Sequence, residues 1–336
     1  MTIDWKNLGF EYQETNCHVR YVWRDGQWDK GELVKSPYLN LHIAATSLHY
    51  GQACFEGLKA FHGKDGKIRI FRPADNAHRM ESSASRTLMA NVPEELFIEA
   101  TKRAVEANRE FIPPYETGGA LYIRPLLIGS GPRIGVQASA EYTFIVLVTP
   151  VGNYYSGGLK PVAATIVEGF DRTAPGGTGD VKIAGNYAAS LMASNIAQKQ
   201  GFPINLYLDS KEHRFIDEFG TSNFIAIKGN SYITPDSKMV LPSITNKSLM
   251  TIAADQGMTV ERRGIELTEV KEFDAVGAVG TAVVLTPVAE IHTGKEIISI
   301  GDGTVHPTLH QLYDKITNIQ RGITEDTYNW CVTLDD

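Results

Sequence analysis

The stretch GGTGDVKIAGNY, Gly176–Tyr187, places one lysine, Lys182, among small and apolar neighbours with glycines on both sides. An amine that forms an imine must lose its proton near neutral pH, and desolvation lowers the pKa of a lysine. Glycine also leaves space for a flat ring to approach the backbone. The segment therefore favours an imine-forming lysine, although a solvated lysine in a loop is the commoner explanation of any one such residue.

An acid in the segment DEFGTSN, Asp217–Asn223, is a second candidate. Glu218 ends a run that alternates like a strand and comes just before a turn at Gly220. A carboxylate in this place could pair with a protonated pyridine nitrogen, which keeps such a ring electron-withdrawing. Thr221 adds a hydrogen-bonding group beside it. Taken alone, Glu218 is more simply interpreted as a solvated turn acid.

A helix start near residue 243 predicts an anion-binding site. Ser243 is a favoured type of N-cap residue, so the N–H groups of Ile244 and Thr245 would point outward. Such donors and the helix dipole together bind phosphate. Arg79, on a predicted helix, could add a charge-assisted contact. Most helix caps bind no ligand, so this pattern needs support from other residues.

Strand-like and helical patterns alternate along the chain and predict an α+β fold of two mixed domains. We expect a smaller N-terminal domain over residues 1–150, a short linker over 151–160 and a larger C-terminal domain over 161–336. The predicted helices are Asp75–Arg86, Glu94–Phe111, Asn186–Gln200, Ser243–Gln256 and Thr308–Arg321. The predicted strands are Leu58–Phe61, Lys67–Phe71, Leu121–Ile128, Tyr142–Val148, Val162–Val167, Ile204–Leu208 and Val276–Val279.

The composition excludes several classes of partner. The 336 residues carry a formal net charge of −7, which disfavours binding to nucleic acid. The N-terminus has no apolar core for a signal peptide, and no apolar run is long enough to span a membrane. The three cysteines are widely spaced, which disfavours a disulfide framework and a zinc site and indicates a cytoplasmic protein.

A glycine-containing loop, Gly129–Ala140, resembles the start of a dinucleotide-binding fingerprint. Pro132 interrupts it, no third glycine has the required spacing and no helix is predicted to open there. We therefore interpret this loop as surface or interface structure.

Lysine, acid, helix start and a later glycine-threonine turn, in this order, resemble the branched-chain aminotransferases among the fold type IV pyridoxal phosphate enzymes. The resemblance spans nearly the whole chain. It includes the segments HYGQACFEGLKAF (His49–Phe61), DNAHRM (Asp75–Met80), LYIRPLLIG (Leu121–Gly129), VGNYYSGG (Val151–Gly158), GDVKIAGNY (Gly179–Tyr187), DEFGTSN (Asp217–Asn223) and GTAVVLTPV (Gly280–Val288).

This resemblance implies a pyridoxal 5′-phosphate cofactor, held by the larger domain at an active site between the two domains. Lys182 would bind the cofactor covalently and be the catalytic residue. Tyr187 would hydrogen-bond the ring hydroxyl, and Glu218 would pair with the ring nitrogen, with Thr221 nearby. The cofactor phosphate would be held by Arg79, Ile244, Thr245 and Thr281.

The same resemblance implies that L-leucine, L-isoleucine or L-valine transfers its amino group to 2-oxoglutarate, giving branched-chain 2-oxo acids and glutamate. Arg124 would face the carboxylate of the acidic substrate. The chain would form a homodimer in which Ile134 and Val136 enter the partner's pocket. The remaining substrate-binding positions are Tyr50, Phe55, Tyr122, Tyr154, Thr281 and Ala282.

Two other functions stay open at the level of sequence. A D-amino acid aminotransferase or an aminodeoxychorismate lyase would share the cofactor residues but have a different substrate pocket. A non-enzymatic dimeric binding protein on the same fold is the third hypothesis. The LYIRP and HYG…FEG segments favour the branched-chain substrates, and the lysine, acid and phosphate site together argue against a protein without catalysis.

Overall fold

The computed structural model describes residues 3–5, 7–153 and 158–334. The chain forms two compact units. Unit 1 comprises Met1–Ser156, Val181–Gly185 and Asn318–Asp336, and unit 2 comprises Gly157–Asp180 and Asn186–Thr317. These units differ from the domain ranges expected from the sequence, because 181–185 and 318–336 group with unit 1.

Helices and strands are both abundant, which confirms the α+β class. The strands of the described residues are β1 (His18–Arg24), β2 (Gln27–Trp28), β3 (Glu32–Val34), β4 (Ala53–Phe55), β5 (Leu58–His62), β6 (Ile68–Phe71), β7 (Ala120–Gly129), β8 (Tyr142–Val151), β9 (Val162–Ile166), β10 (Ile204–Leu208), β11 (Ile216–Phe219), β12 (Ser222–Lys228), β13 (Ser231–Pro235), β14 (Thr259–Arg263), β15 (Ala275–Gly280), β16 (Val284–His292), β17 (Ile297–Ser299) and β18 (Cys331–Thr333). The α-helices are α1 (Thr46–Tyr50), α2 (Pro73–Arg86), α3 (Glu94–Glu106), α4 (Ala184–Lys199), α5 (Ile244–Asp255) and α6 (Pro307–Gln320).

One predicted helix is wrong at its C-terminal end. The pattern over Glu94–Phe111 continues past Glu106, but the helix ends there and Arg109–Phe111 form a 3₁₀ turn. Asn108 explains the break, because its side-chain Nδ2 donates to the carbonyl of Ala104 at 2.7 Å. Asparagine side chains compete in this way with helical backbone bonds. The other four predicted helices agree with the structure to within two residues at each end.

Unit 1 contains a nine-stranded antiparallel sheet in the order β18-β6-β5-β7-β8-β1-β2, with β3 paired to β1 and β4 paired to β7. The C-terminal strand β18 belongs to this sheet because it pairs with β6, which explains why the last residues leave the predicted second domain. Leu121 and Ile123 of β7 join a core that includes Met80 of α2 and Phe97 of α3. Alternation along the strand therefore directs Tyr122 and Arg124 to the opposite face of the sheet.

Unit 2 contains a mixed sheet in the order β11-β10-β9-β16-β15-β12-β13-β14, with β17 paired to β16. A further pairing of β11 with β12 closes part of this sheet on itself. The tight turn between those two strands sets Glu218 directly opposite Asn223. The core beside them is built from Phe219, Phe224 and Val276 and other apolar side chains.

Within the described ranges, no helix combines the length and the apolar composition that crossing a membrane requires.

Candidate active site

The backbone around Lys182 is held by β4 and α2, all within unit 1. The N–H of Phe55 donates to the carbonyl of Lys182 at 3.1 Å, and Cys54 forms an antiparallel bridge with Ile183. The N–H of Lys182 donates to Oγ of Ser83 at 2.8 Å. Three backbone contacts thus hold the lysine in place, and its Nζ lies 4.8 Å from the centre of the Phe55 ring.

Phe55 also contacts the arginine that was predicted to face an acidic substrate. The guanidinium carbon of Arg124 lies 4.8 Å from the centre of the Phe55 ring and 5.2 Å from that of Tyr122. Nη2 of Arg124 donates to the Tyr122 hydroxyl at 3.1 Å. Its Nε is buried and has no hydrogen-bond partner among the residues described. The structure therefore brings together Lys182, Phe55, Tyr122 and Arg124, and leaves a buried donor that could bind an anion.

Two further residues beside Tyr122 were missed by the sequence interpretation. Lys59 on β5 pairs in register with Tyr122 on β7, so both side chains lie on the same face of the sheet. Burial lowers the pKa of Lys59 to about 8. Gly57 approaches the same tyrosine so closely that a methyl group there would clash with the Tyr122 hydroxyl. A glycine and a lysine inside the apolar run ACFEGLKAF were the only available signal.

Arg79, predicted to hold phosphate, forms a paired contact with Glu56. Its Nε donates to Oε1 of Glu56 at 2.8 Å, and its Nη2 donates to Oε2 at 2.7 Å. Glu56 is fully buried and also accepts from Nδ2 of Asn76 at 2.7 Å. The carboxylate therefore fixes the orientation of the guanidinium. The sequence signal for Glu56 is an acid inside the apolar run ACFEGLKAF.

Tyr50, Ile134 and Val136 form a separate group on the surface of unit 1. The Tyr50 hydroxyl donates to the carbonyl of Ile134. Ile134 is 70% exposed and Val136 is 83% exposed, and Ile43 nearby in the chain fold is 82% exposed. The loop that carries Ile134 and Val136 is joined to the segment that contains Ile43. The N–H of Arg133 donates to the carbonyl of Ala44 at 2.8 Å. We call Ile43, Leu48, Tyr50, Ile134 and Val136 the apolar patch of unit 1.

In unit 2, Glu218 is 3% exposed and accepts several hydrogen bonds. Oε1 accepts from the backbone N–H of Leu241 at 3.1 Å and pairs with Nε of Arg172 at 2.8 Å. Oε2 accepts from Nδ2 of Asn223 at 2.8 Å. Burial raises the pKa of Glu218, while Arg172, Leu241 and Asn223 act in the opposite direction. Arg172 is a third residue that the sequence interpretation missed, after Lys59 and Gly57.

The predicted helix start is confirmed at Ser243, whose Oγ accepts from the N–H of Asn246 at 3.2 Å. The N–H groups of Ile244 and Thr245 belong to the first turn of α5, where no preceding helical carbonyl is available. The Asn246 side chain continues inward, where Nδ2 donates to Oδ1 of Asn223 at 3.3 Å. A buried chain of hydrogen bonds thus joins the start of α5 to Glu218.

Two hydrogen bonds join the ends of the segment that carries Lys182, and both end residues, Thr178 and Asn186, belong to unit 2. Oγ1 of Thr178 donates to Oδ1 of Asn186 at 2.7 Å, and Nδ2 of Asn186 donates back to the Thr178 carbonyl at 2.6 Å. Tyr187 follows in the first turn of α4 and is partly exposed. These two hydrogen bonds limit the conformations open to the seven residues between Thr178 and Asn186.

The remaining predicted residues lie in turns of unit 2 or cannot be placed. Thr221 is exposed in the turn between β11 and β12. Thr281 and Ala282 form the turn between β15 and β16, and Val284 after them has a φ of 62°, which is strained for a β-branched residue. Tyr154 lies outside the described residues.

The described part of unit 2 also contains a cavity, which lies apart from the predicted site residues. Among the residues described, no group of three or more His, Cys, Asp or Glu side chains could hold a metal ion. A cavity of about 410 Å³ in unit 2 is lined by Ile166, Leu206, Leu208 and Leu267 among others, and contains none of the predicted site residues.

Comparison with known proteins shows similarity over the whole chain. The family model for amino-transferase class IV matches residues 53–291. The chain is 46% identical to the branched-chain-amino-acid aminotransferase of Haemophilus influenzae, covering 99% of each chain. It is 45% identical to the branched-chain-amino-acid aminotransferase of Helicobacter pylori, covering 98% of this chain and 97% of that protein.

Solved structures share the fold at lower identity. The branched-chain amino acid aminotransferase of Escherichia coli superposes with a TM-score of 0.76 at 23% identity, covering 95% of this chain and 100% of that one. The pyridoxal phosphate form of the Thermobaculum terrenum enzyme superposes with a TM-score of 0.80 at 22% identity, covering 96% and 99% of the two chains.

Proposed function

This chain belongs to the class IV amino-transferase family, and we propose that it transfers the amino group of L-leucine, L-isoleucine or L-valine reversibly to 2-oxoglutarate. The products are branched-chain 2-oxo acids and L-glutamate, and the cofactor is pyridoxal 5′-phosphate. The full-length match to branched-chain-amino-acid aminotransferases carries this conclusion.

The residues present fit this cofactor. Oε1 of Glu218 already accepts two contacts and Oε2 accepts one, so a carboxylate oxygen keeps the capacity for one more donor, such as a protonated ring nitrogen. We propose that the first turn of α5, with Ile244 and Thr245, binds the phosphate, together with Arg79 and Thr281. Tyr187 and Thr221 complete the proposed set that holds the cofactor.

When bound, the cofactor supplies an electron sink that stabilises negative charge at the substrate Cα. We propose that Lys182 would hold the cofactor covalently and that its Nζ, when free, would move the proton at the substrate Cα. The Glu218 carboxylate would accept a hydrogen bond from the protonated ring nitrogen and so keep the proton there. The backbone contacts of Lys182 with Phe55 and Ser83 orient the amine for both roles.

A transaminase of this kind must accept both an aliphatic and an acidic side chain. We propose that Phe55 and Tyr122 provide apolar walls and that Arg124 binds the distal carboxylate. The buried, unpartnered Nε of Arg124 supports this role. Thr281 and Ala282 would lie near the substrate α-carboxylate, and Tyr154 would line the pocket.

We propose that the chain works as a homodimer through the apolar patch of unit 1. Exposed apolar surface of this kind marks association sites. Ile134→Asp combined with Val136→Asp should shift the protein toward monomer in sedimentation, whereas Ile297→Asp, at a 57% exposed position of unit 2, should not. A cytoplasmic location is also proposed, supported by the three free cysteines.

A substrate panel tests the proposed function. Purified protein should bind pyridoxal phosphate, and its visible absorbance should change on addition of L-leucine, L-isoleucine or L-valine and recover with 2-oxoglutarate. Lys182→Ala should abolish the covalent absorbance and lower turnover by several orders of magnitude. Activity with D-alanine and none with L-leucine would reject the proposed substrates, and full activity of Lys182→Ala would reject the catalytic residue.

A further inference from the structure

Arg172 occupies a position in unit 2 that the proposed function does not use. It lies in the loop that leads toward Lys182, and its side chain is only 8% exposed. Nε of Arg172 pairs with Oε1 of Glu218 at 2.8 Å, and the Glu218 side chain is 4% exposed. Ion pairs this deeply buried require good geometry and further hydrogen bonds, because both charges lose their hydration.

The other side of the guanidinium supplies those hydrogen bonds. Nη1 of Arg172 donates to the carbonyl of Met239 at 2.7 Å and to the carbonyl of Gly179 at 3.1 Å. A methyl group at Gly179 would clash with the Met239 carbonyl, so the loop packs there without space for a side chain. Arg172 therefore joins Glu218 to a residue only three positions before Lys182.

The contact with Arg172 opposes the effect of burial on the pKa of Glu218. Burial raises the pKa of Glu218, and Arg172 is the strongest of the groups that oppose the rise. Asp217, its neighbour on β11, adds to the rise, and Tyr207 on β10 is within electrostatic range of Arg172. Removing the guanidinium would leave a buried carboxylate beside another acid, and such a group takes up a proton instead of remaining charged.

We propose that Arg172 is a positioning residue that keeps Glu218 anionic and correctly oriented while anchoring the loop that precedes Lys182. This inference rests on the proposed function, in which Glu218 pairs with the cofactor's ring nitrogen. Arg172 contacts neither the substrate nor the reacting atoms in this scheme. Its effect reaches the cofactor through Glu218 and through the position of Gly179.

The test uses the full-length protein with pyridoxal phosphate as the probe. Arg172→Met removes the charge, Arg172→Lys keeps it, and Arg262→Met changes an exposed arginine of the same unit that pairs with Asp236. For each variant, we would measure the Kd for pyridoxal phosphate and the pH midpoint of the visible absorbance of the bound cofactor. Circular dichroism would report folding.

We expect Arg172→Met to weaken cofactor binding about 10- to 100-fold, as loss of a charged hydrogen bond does, and to shift the pH midpoint. Arg172→Lys should recover much of both effects, and Arg262→Met should match the wild type within about twofold. A Kd and a midpoint for Arg172→Met that equal those of the wild type would overturn the inference.

If Arg172→Met does not fold, the same change in a Glu218→Gln background removes both charges and avoids an unpaired buried one. In that background it should leave the pH midpoint of Glu218→Gln unchanged, because no carboxylate remains to be held. A clear shift of the Glu218→Gln midpoint when Arg172→Met is added would contradict the inference. Wild-type protein that takes up no cofactor, or a band that survives Lys182→Ala, would instead reject the proposed function itself.

Discussion

Both oxygens of the Glu56 carboxylate are engaged by the Arg79 guanidinium, at 2.8 and 2.7 Å, and Glu56 is completely buried. The pair fixes the guanidinium of Arg79, on α2, which would otherwise have several rotamers. Arg79 can therefore present a defined face to a phosphate group. Glu56, in the connection between β4 and β5, balances the charge of Arg79 within unit 1.

Replacing Glu56 by Gln should destabilise the cofactor-free protein by about 3–5 kcal/mol, because it leaves the Arg79 charge buried without its counter-charge. Urea denaturation would measure the free energy of unfolding. Glu272→Gln, at an exposed pair with Lys228, is the matched control and should change little. The double variant Glu56→Gln with Arg79→Met should be more stable than Glu56→Gln alone, and a further loss of stability would contradict this account.

Replacing Arg124 by Met should act selectively on the acidic substrates. We expect kcat/KM for 2-oxoglutarate to fall about 10- to 100-fold, which corresponds to the loss of a charge-assisted hydrogen bond, while the half-reaction with L-leucine changes much less. Half-reaction kinetics followed by cofactor absorbance would separate the two. Arg214→Met, an exposed arginine over Phe215, is the control. Equal losses with both substrates would show that Arg124 has a general structural role.

Replacing Asn246 by Ala should destabilise unit 2 and weaken cofactor binding. Oδ1 of Asn246 accepts from the hydroxyl of Tyr232 at 2.7 Å, and Tyr232 is fully buried. An unpaired buried hydroxyl costs about 1–3 kcal/mol, which urea denaturation would detect. Combining the change with Tyr232→Phe should cost less than the sum of the two single changes. Simple additivity would show that the two groups are not coupled.

Asp209 should make the stability depend on acid pH. Burial alone would raise the pKa of Asp209, but the N–H groups of Phe215, Glu212 and Arg214 more than offset this, and its pKa lies below the ordinary value of 3.8. Folding therefore favours the ionised form. The resulting stability is present above pH 3.8 and is lost as the pH falls through the lower pKa of the folded state.

Asp209→Asn should accordingly lower the free energy of unfolding by about 1–3 kcal/mol at pH 7, and the difference from the wild type should shrink below pH 3.8. Urea titrations at several pH values would measure both. Asp302→Asn, at an exposed turn, is the control and should have little effect. A difference from wild type that stays constant down to the lowest pH would exclude ionisation as the cause.

Several features could be predicted from local sequence because their causes are local. The N-cap at Ser243 depends on a hydroxyl followed by an apolar helix, and the strand at Ile204–Leu208 depends on residue type and alternation. The order of Lys182, Glu218 and the glycine-threonine turn, together with the quoted segments, was enough to identify the family. These motifs can be recognised from the sequence alone, because each lies within a few consecutive residues.

Partners from distant segments could not be predicted in the same way. Glu56 and Arg79 are 23 positions apart, and Lys59 faces Tyr122 only because β5 and β7 pair in one particular register. A slip of one residue would place Lys59 on the other face of the sheet. The end of α3 similarly depends on Asn108 reaching both its own helix and Cys17.

The sequence by itself therefore determined the family and the cofactor, and it led to the prediction that Lys182 binds that cofactor, because these follow from residue identity and order. Only the tertiary structure decided which charges neutralise the buried ones: Glu56 for Arg79, and Arg172 for Glu218. The physical reason is that the energy of a buried charge depends on the few groups within hydrogen-bond distance. Strand register and loop packing determine which groups these are. Neither can be predicted from the residues that flank the charge in the sequence.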